Sequence, residues 1–375
     1  MRKGKVRVGI ISANWGVHAH LPAWRSLKDD IDVVGICTSR RETAEAAAEQ
    51  YGFRRAFWDH REMAADPEID LIDVGTRPPL RHEMVTAALD NGKHVYCGIP
   101  FAPNYALAKD MTDRLAAAGT VGAVDAFVQA VPAFVHMKEL IKEGYVGEMF
   151  GFRACVAQPL FTARQINVPG YAWFADAKNA ASAMRNNGSH FLHLLVHLFG
   201  DIQSIVSDQS LRLKKWPTDT GIIEPEVPDH AYAILKFASG LSGELASIWS
   251  MPDGPGYRLE VWGSHGRLVA CAPVFPHAFD TQLFGGKGAG IGEFTEQKIE
   301  IPERLKRLVR SDFHADTPQP AVFPMASIFS SMLDEMEGKG KAAPGFPQAL
   351  HVQRVVEAAA RSSDERRWVD VVEIG

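Results

Sequence analysis

No pair of cysteines stands at a disulfide or metal-binding spacing; Cys37, Cys97, Cys155 and Cys271 are scattered through 375 residues. Most lie inside strand-like apolar runs, the pattern of reduced core thiols, which points to a cytosolic chain. No apolar run approaches the roughly eighteen residues of a membrane span, and no apolar segment precedes the first strand-like stretch. Neither a transmembrane helix nor a signal peptide is therefore expected. Charge of one sign is missing too: 40 basic against 45 acidic residues leave a net charge of -5. That balance gives no ground for nucleic acid or an anionic membrane as partner. There is no internal repeat. What is present is the texture of a soluble protein, 46% hydrophobic and 23% charged, in a chain long enough to need two domains.

The most informative stretch is the first forty residues. An apolar run from Val6 to Ile11 meets a small-residue turn, Ser12-Ala13-Asn14-Trp15-Gly16, then a helical segment over about 17–27 and a second apolar run, Ile31 to Cys37. This is a β-α-β unit, whose first turn aims backbone N–H groups at a dinucleotide pyrophosphate. The glycine pattern of such turns is poorly kept: Ser12 and Asn14 replace the first two glycines, and Gly16 serves as the last. Asn14 is a tolerable substitute because Asn enters the left-handed region more readily than other residues with a side chain. A carboxylate about twenty positions past the turn would hold the ribose of NAD. That place reads Thr38-Ser39-Arg40-Arg41, and guanidinium groups suit a 2′-phosphate, so NADP is expected over NAD. The competing reading makes Arg40 and Arg41 the solvated start of the next helix.

Strand-helix alternation continues, with helices over 41–51, 60–65, 81–91 and 105–118. Strands are expected at 55–58, 69–75, 93–97 and 121–127, the sign of a parallel, doubly wound α/β sheet. From about residue 129 the texture changes. After a helix over 133–143, long β-type runs appear at 148–158, 202–213, 230–237, 242–249 and 257–269. They predict a large, mostly antiparallel sheet in an α+β domain. Residues 252–256 and 285–292 read as turns and an exposed loop. Helices over 321–337 and 346–362 precede a last strand at 367–374. The expected division is a Rossmann domain over 1–128 and a substrate and oligomerisation domain over 129–375.

Several short motifs together resemble the Gfo/Idh/MocA oxidoreductase family. They are His20-Leu21-Pro22-Ala23, Asp66-Pro67-Glu68-Ile69-Asp70 and Ala88-Leu89-Asp90-Asn91-Gly92-Lys93-His94-Val95, then Lys138-Glu139-Leu140-Ile141 with Gly144 and Gly147, and Gly188-Ser189-His190. Val261-Trp262-Gly263-Ser264-His265-Gly266 and Gln353-Arg354-Val355-Val356-Glu357-Ala358 complete the set. The resemblance implies a nicotinamide-dependent oxidoreductase of sugars or cyclitols, dimeric or tetrameric through its carboxyl-terminal sheet. It also implies cofactor contacts from Thr76, Arg77, Pro78, Gly98, Ile99 and Pro100, beside the Ser12, Asn14, Trp15 and Gly16 turn.

The departures from the family are chemical. Its Glu-Lys-Pro becomes Gly98-Ile99-Pro100, so the lysine implied to assist proton transfer is gone. Its Thr-Pro followed by His becomes Thr76 to His82, with Arg81 in the ungapped His position. Its Asp-x-Gly-x-His becomes Asn186-Asn187-Gly188-Ser189-His190, and the Asp three residues after that His is His193. His190 remains as the expected acid/base residue, since histidine exchanges protons near neutral pH. Its alternative is a structural residue at a helix start. His193 and His197 share its face, but His197 lies two turns, about 10 Å, along the axis, so no metal site is expected. The family layout would hang residues 159–176 over the substrate, making Arg164, Tyr171 and Trp173 candidate substrate contacts with Asn186, Asn187 and His193. Three functional readings stay open: an NADP- or NAD-dependent oxidoreductase, a non-redox nucleotide sensor that lost its chemistry, and a lyase or glycosidase-like enzyme with a retained cofactor.

Overall fold

A computed structural model of the chain describes residues 4–162, 169–218, 221–276, 279–288, 290–293, 295–317, 319 and 321–375. Packing divides it into two units: Met1–Phe127 with Arg307–Leu350, and Val128–Lys306 with His351–Gly375. The boundary at Phe127 adjoins the expected cut after residue 128. Arg307–Leu350 departs from a linear division by packing with the first unit.

The first unit is built on parallel strands β1 (Val6–Ile11), β2 (Ile31–Cys37), β3 (Arg55–Phe57), β4 (Leu71–Val74), β5 (His94–Cys97) and β6 (Gly122–Val124). Their order, β3-β2-β1-β4-β5-β6, reverses between β1 and β4, the point at which open α/β sheets take ligands beyond the carboxyl ends of their strands. The central strands are buried on both faces, and their buried positions are apolar apart from Asp73 in β4, as burial under helices on both sides requires. A helical turn over Gly16–His20 leads into α1 (Leu21–Arg25). Next come α2 (Arg41–Tyr51), α3 (His60–Ala65), α4 (Pro78–Asp90) and α5 (Tyr105–Ala118). Gly52 and Gly119 stop α2 and α5 in the left-handed conformation, at φ 70 and 64. Helix α4 starts at Pro78 and not at Arg81, because proline at the first helical positions has no N–H to leave unsatisfied. The last parallel strand, expected over 121–127, ends at Val124 and gives way to a 3-10 turn over Phe127–Ala130.

The second unit holds α6 (Pro132–Lys142), β7 (Met149–Ala157), α7 (Ser189–Phe199), β8 (Ile202–Ser210) and a small ribbon of β9 (Trp216–Thr218) and β10 (Gly221–Ile223). Strands β11 (His230–Phe237), β12 (Ser242–Ile248), β13 (Gly256–Gly263), β14 (Gly266–Ala272), β15 (Gln282–Gly286) and β16 (Gln297–Ile299) follow. Helix α8 (Val322–Met336) returns to the first unit, α9 (Phe346–Glu365) begins there and continues into the second, and β17 (Val369–Asp370) closes the chain. The nine-stranded order is β16-β15-β14-β13-β7-β12-β11-β8-β17, parallel only between β7 and β12. Strand β11 shows why one face stays solvated: Ala231, Ala233, Leu235 and Phe237 point inward while Tyr232, Ile234 and Lys236 alternate outward.

Three expectations are corrected here. The run 257–269 is a hairpin, with Gly263 paired to Gly266 across Ser264-His265. A side chain at Gly263 would strike the Glu148 carbonyl, so the chain turns where only glycine fits. Gly285 and Gly286 end β15 instead of opening a loop. The last strand is confined to Val369–Asp370; a 3-10 turn over Val371–Glu373 follows, because the Glu373 carboxylate accepts the Asp370 N–H at 2.9 Å and pairs with Arg367 at 2.7 Å.

Within the first unit, the Phe329 ring of α8 stacks on Trp24 at 3.3 Å between centroids and meets Tyr96 edge-on at 4.7 Å. All three rings are fully buried. Phe329→Ala should therefore lower stability by about 3–5 kcal/mol, the usual loss for a buried phenylalanine. Urea unfolding checks this; a loss under about 1 kcal/mol would detach α8 from this core.

Candidate active site

The turn after β1 lies flat against the sheet. A Cβ on Gly16 would come 2.7 Å from Ile10 Cγ2, and one on Gly75 would come 3.3 Å from the Gly16 nitrogen. Gly16 therefore fills the close-packing place of the last glycine in a dinucleotide turn. Ser12 Oγ accepts the Asn14 N–H at 3.2 Å, and the Asn14 carbonyl accepts from Val17 and His18. The Ser12 side chain and the Asn14 backbone carbonyl hold the turn where the glycines are missing, and Asn14 does not take the left-handed conformation expected of it. The Trp15 and Gly16 N–H groups precede those of Val17 and His18 and make no backbone bond among the described residues, so this turn fits a pyrophosphate.

At the end of β2, Thr38 Oγ1 bonds the Arg40 carbonyl at 2.9 Å and Thr43 Oγ1 at 2.6 Å, which shapes the start of α2. The two arginines differ. Arg41 bonds Glu45 at 2.8 Å and lies 5.2 Å above the Trp58 ring, whereas the exposed Arg40 has no side-chain partner among the described residues. Ser39 is exposed beside it.

Beneath the turn lies an ion cluster that sequence reasoning missed. His20 places Nδ1 2.9 Å from Asp73 and Nε2 3.1 Å from Asp125. Trp24 Nε1 donates to Asp73 at 2.7 Å; Tyr96 Oη and Trp15 Nε1 each donate to Asp125 at 2.8 Å. His20, Asp73, Trp24 and Tyr96 are fully buried, while the Trp15 ring is 39% exposed on the turn itself. Burial opposes charge on His20, but the two carboxylates outweigh it and raise its pKa to about 10. The imidazolium thus donates from both nitrogens. A signal was available: Asp73 and Asp125 each interrupt an apolar strand-like run, where a carboxylate needs a buried partner.

At the ends of β4 and β5, Thr76 Oγ1 touches Met84 Sδ at 3.5 Å, Arg77 caps α4 from an exposed position and Pro78 is buried. Arg81 turns into the protein, with Nε donating to the Thr76 carbonyl at 2.8 Å and Nη1 to the Pro100 carbonyl. His82, one position on, faces α5 and bonds Asp110 at 2.8 Å. Ile99 packs on the core of this unit.

In the second unit, His190 is half-buried in the first turn of α7, edge-on to Phe275 at 4.8 Å. Asn186 and Asn187 are engaged internally: Asn186 Oδ1 accepts the Ser182 N–H at 3.1 Å, and Asn187 donates to Gln158 Oε1 at 3.0 Å. His193 is buried and held neutral, its pKa down to about 3 through burial and then the neighbouring His190 and His351. Phe161 and Phe174 form a core with Trp216 and Trp249, not a pocket wall. Tyr171 and Trp173 pack their edges on Phe174 at 5.4 and 4.4 Å and keep surface exposed. Arg164 lies outside the described residues. Among the described residues, no cluster of His, Cys, Asp and Glu could hold a metal ion.

A six-stranded parallel sheet with this order and turn defines a dinucleotide-binding α/β protein. The description "Oxidoreductase family, NAD-binding Rossmann fold" matches residues 6–126, and the Gfo/Idh/MocA carboxyl-terminal domain matches 134–269. The chain belongs to the Gfo/Idh/MocA family and is an oxidoreductase. The dehydrogenase aclE of Aspergillus oryzae is 28% identical in an alignment spanning 50% of this chain and 51% of its own. A levoglucosan dehydrogenase of Pseudarthrobacter phenanthrenivorans is 24% identical over 90% of this chain and 89% of its own. A solved levoglucosan dehydrogenase, in complex with NADH and levoglucosan, shares the fold with a TM-score of 0.85 at 21% identity, covering 98% of this chain and 99% of that one. No helix among the described residues is long and apolar enough to cross a membrane.

The His20 cluster generates a pH test. Its folded pKa, about 10, lies above the unfolded value of about 6.5. The contribution is therefore full below about pH 6.5 and is lost as pH rises through the folded value. Between those limits stability should fall by at most about 1.4 kcal/mol per pH unit. His20→Gln should lose about 3–5 kcal/mol at pH 7, because two buried carboxylates are left facing one another. The mutant should also lack that alkaline slope. Urea titrations of both proteins from pH 6 to 10 check this; parallel curves would mean that His20 is not charged.

Proposed function

We propose that the chain is a nicotinamide-dependent dehydrogenase or reductase acting on a sugar, cyclitol or related hydroxy/carbonyl compound, with NADP preferred over NAD. The observation that carries the preference is the end of β2, where Ser39 and Arg40 are exposed and unengaged and no carboxylate stands between Thr38 and Arg41. Arg40 is the residue for the 2′-phosphate, since Arg41 already has Glu45. The levoglucosan dehydrogenases among its relatives support a sugar or anhydrosugar as substrate. The bound nicotinamide supplies the hydride acceptor or donor. This chain's own residues then seat the pyrophosphate on the Ser12–Gly16 turn, position the nicotinamide half with Thr76–Pro78 and Gly98–Pro100, and manage one proton.

His190 exchanges that proton with the reacting oxygen, and Ile99, where the family carries lysine, has no proton to exchange. Tyr171 and Trp173, the aromatics still exposed near Phe174, offer apolar faces for a sugar. Arg164, Asn186, Asn187 and His193 complete the proposed substrate set; internal bonds give the two asparagines a shaping role. Chains associate through the solvated face of the nine-stranded sheet, where Tyr232 and Ile234 are 48% and 49% exposed.

Two measurements test this reading. Calorimetry should give tighter binding of NADPH than of NADH. Arg40→Ala should lower NADPH affinity by about 10- to 100-fold, the worth of one charge-assisted bond, and leave NADH unchanged. Equal affinities in the wild type would remove the preference. His190→Asn should leave dinucleotide binding intact and slow single-turnover nicotinamide oxidation or reduction by about 10² or more. An unchanged rate would reduce His190 to a helix-start residue.

A further inference from the structure

Arg81 is only 4% exposed, yet no carboxylate is hydrogen-bonded to it. Its Nε and Nη1 are spent on the carbonyls of Thr76 and Pro100. Nη2 has no acceptor among the described residues. The guanidinium occupies room made by the absence of a side chain at Gly98: a Cβ there would lie 2.6 Å from Nη2 and 3.0 Å from Cζ. Arg81 and Gly98 are thus one device. Burial pulls the arginine below its ordinary pKa, with Asp125 acting against it through space, and an arginine so placed stays charged. Two carbonyls accept from Nε and Nη1, and Nη2, which is not among the buried unpartnered atoms, is left as a fixed donor for an acceptor at this edge.

The position narrows the acceptor. Thr76 follows β4 and Pro100 follows β5, so Arg81 joins two loops at the carboxyl edge of the sheet. In a doubly wound sheet of this order each half takes one mononucleotide. The proposed role of Arg40 beyond β2 assigns the adenosine half to β1–β3, which leaves the nicotinamide half to β4–β6. We propose that Arg81 is a cofactor-positioning residue, donating from Nη2 to an oxygen acceptor on the nicotinamide half, either its carboxamide or its ribose. The proposal rests on the nicotinamide reading above. It places a guanidinium next to the turn where Ile99 stands.

The test is a set of calorimetric affinities for wild type, Arg81→Met and Gly98→Ala with three ligands. NADPH carries both halves, 2′-phospho-ADP-ribose lacks only the nicotinamide, and adenosine 2′,5′-bisphosphate carries the adenosine half alone. Arg81→Met should weaken NADPH about 10-fold or more and leave the bisphosphate unchanged, which also shows that the variant is folded. Gly98→Ala keeps the charge but pushes Nη2 aside, and should weaken NADPH in the same way. Loss of NADPH affinity alone assigns the carboxamide; equal loss for NADPH and 2′-phospho-ADP-ribose assigns the ribose. Unchanged NADPH affinity in Arg81→Met, loss for all three ligands, or loss confined to Arg81→Met with Gly98→Ala unaffected would each overturn the directed bond. A wild type that binds none of the three overturns the cofactor reading and this one with it.

Discussion

The carboxyl edge of the first sheet depends on one buried interaction, the His20 imidazolium held between Asp73 and Asp125. Its members come from the helix after β1, from β4 and from the segment after β6, so the cluster fixes three parts of the edge against one another. Two carboxylates at that depth are tolerable only around a cation and with their remaining lone pairs filled. Trp24, Tyr96 and Trp15 supply those donors. Trp15 is both a donor to Asp125 and an exposed ring on the dinucleotide turn. Cofactor turn and buried charge are therefore mechanically the same object.

Arg81 extends the same economy of charge. The cluster sums to one excess negative charge, from two carboxylates and one imidazolium, and Arg81 brings one positive charge within reach of Asp125. The first unit thus carries a neutral but strongly polarised interior under its ligand edge, a low-dielectric place where oriented donors act strongly. Departures from the family at residues 81 and 98 belong together in this light: the loss of the acidic side chain at Gly98 and the gain of the guanidinium are sterically linked. The second unit also buries a carboxylate, Asp229, which accepts from the Arg212 and Leu213 N–H groups and from the Ser250 hydroxyl. Its His193 and His197 are held neutral, at about 3 and 4, by burial first and by neighbouring basic groups second.

The parts legible in the sequence were those governed by local rules. Helices α2 and α5 run as expected because apolar spacing and a stopping glycine define them, and β11 does so because its alternation is unbroken. The β13–β14 hairpin was hidden because the apolar pattern continues across Gly263-Ser264-His265-Gly266. Arg81 and His82 show how a small shift decides chemistry. With α4 starting at Pro78, residues 78, 81, 85, 88 and 89 face inward, so Arg81 is buried and His82 is left to Asp110. The His20 cluster was beyond local rules, since its partners are 53 and 105 positions away. Some family motifs prove structural: Lys93 Nζ bonds the carbonyls of Asp66 and Ile69, and Asp70 holds Arg7, so those residues mark the fold and not the reaction.

The proposed preference of this edge is for a phosphorylated nicotinamide dinucleotide. It is tested most directly by saturating the protein with an equimolar mixture of NADPH and NADH, removing free nucleotide, and identifying what denaturation releases by mass and ultraviolet spectrum. NADPH should predominate. Recovery of NADH alone, or of no nicotinamide nucleotide, would contradict that preference.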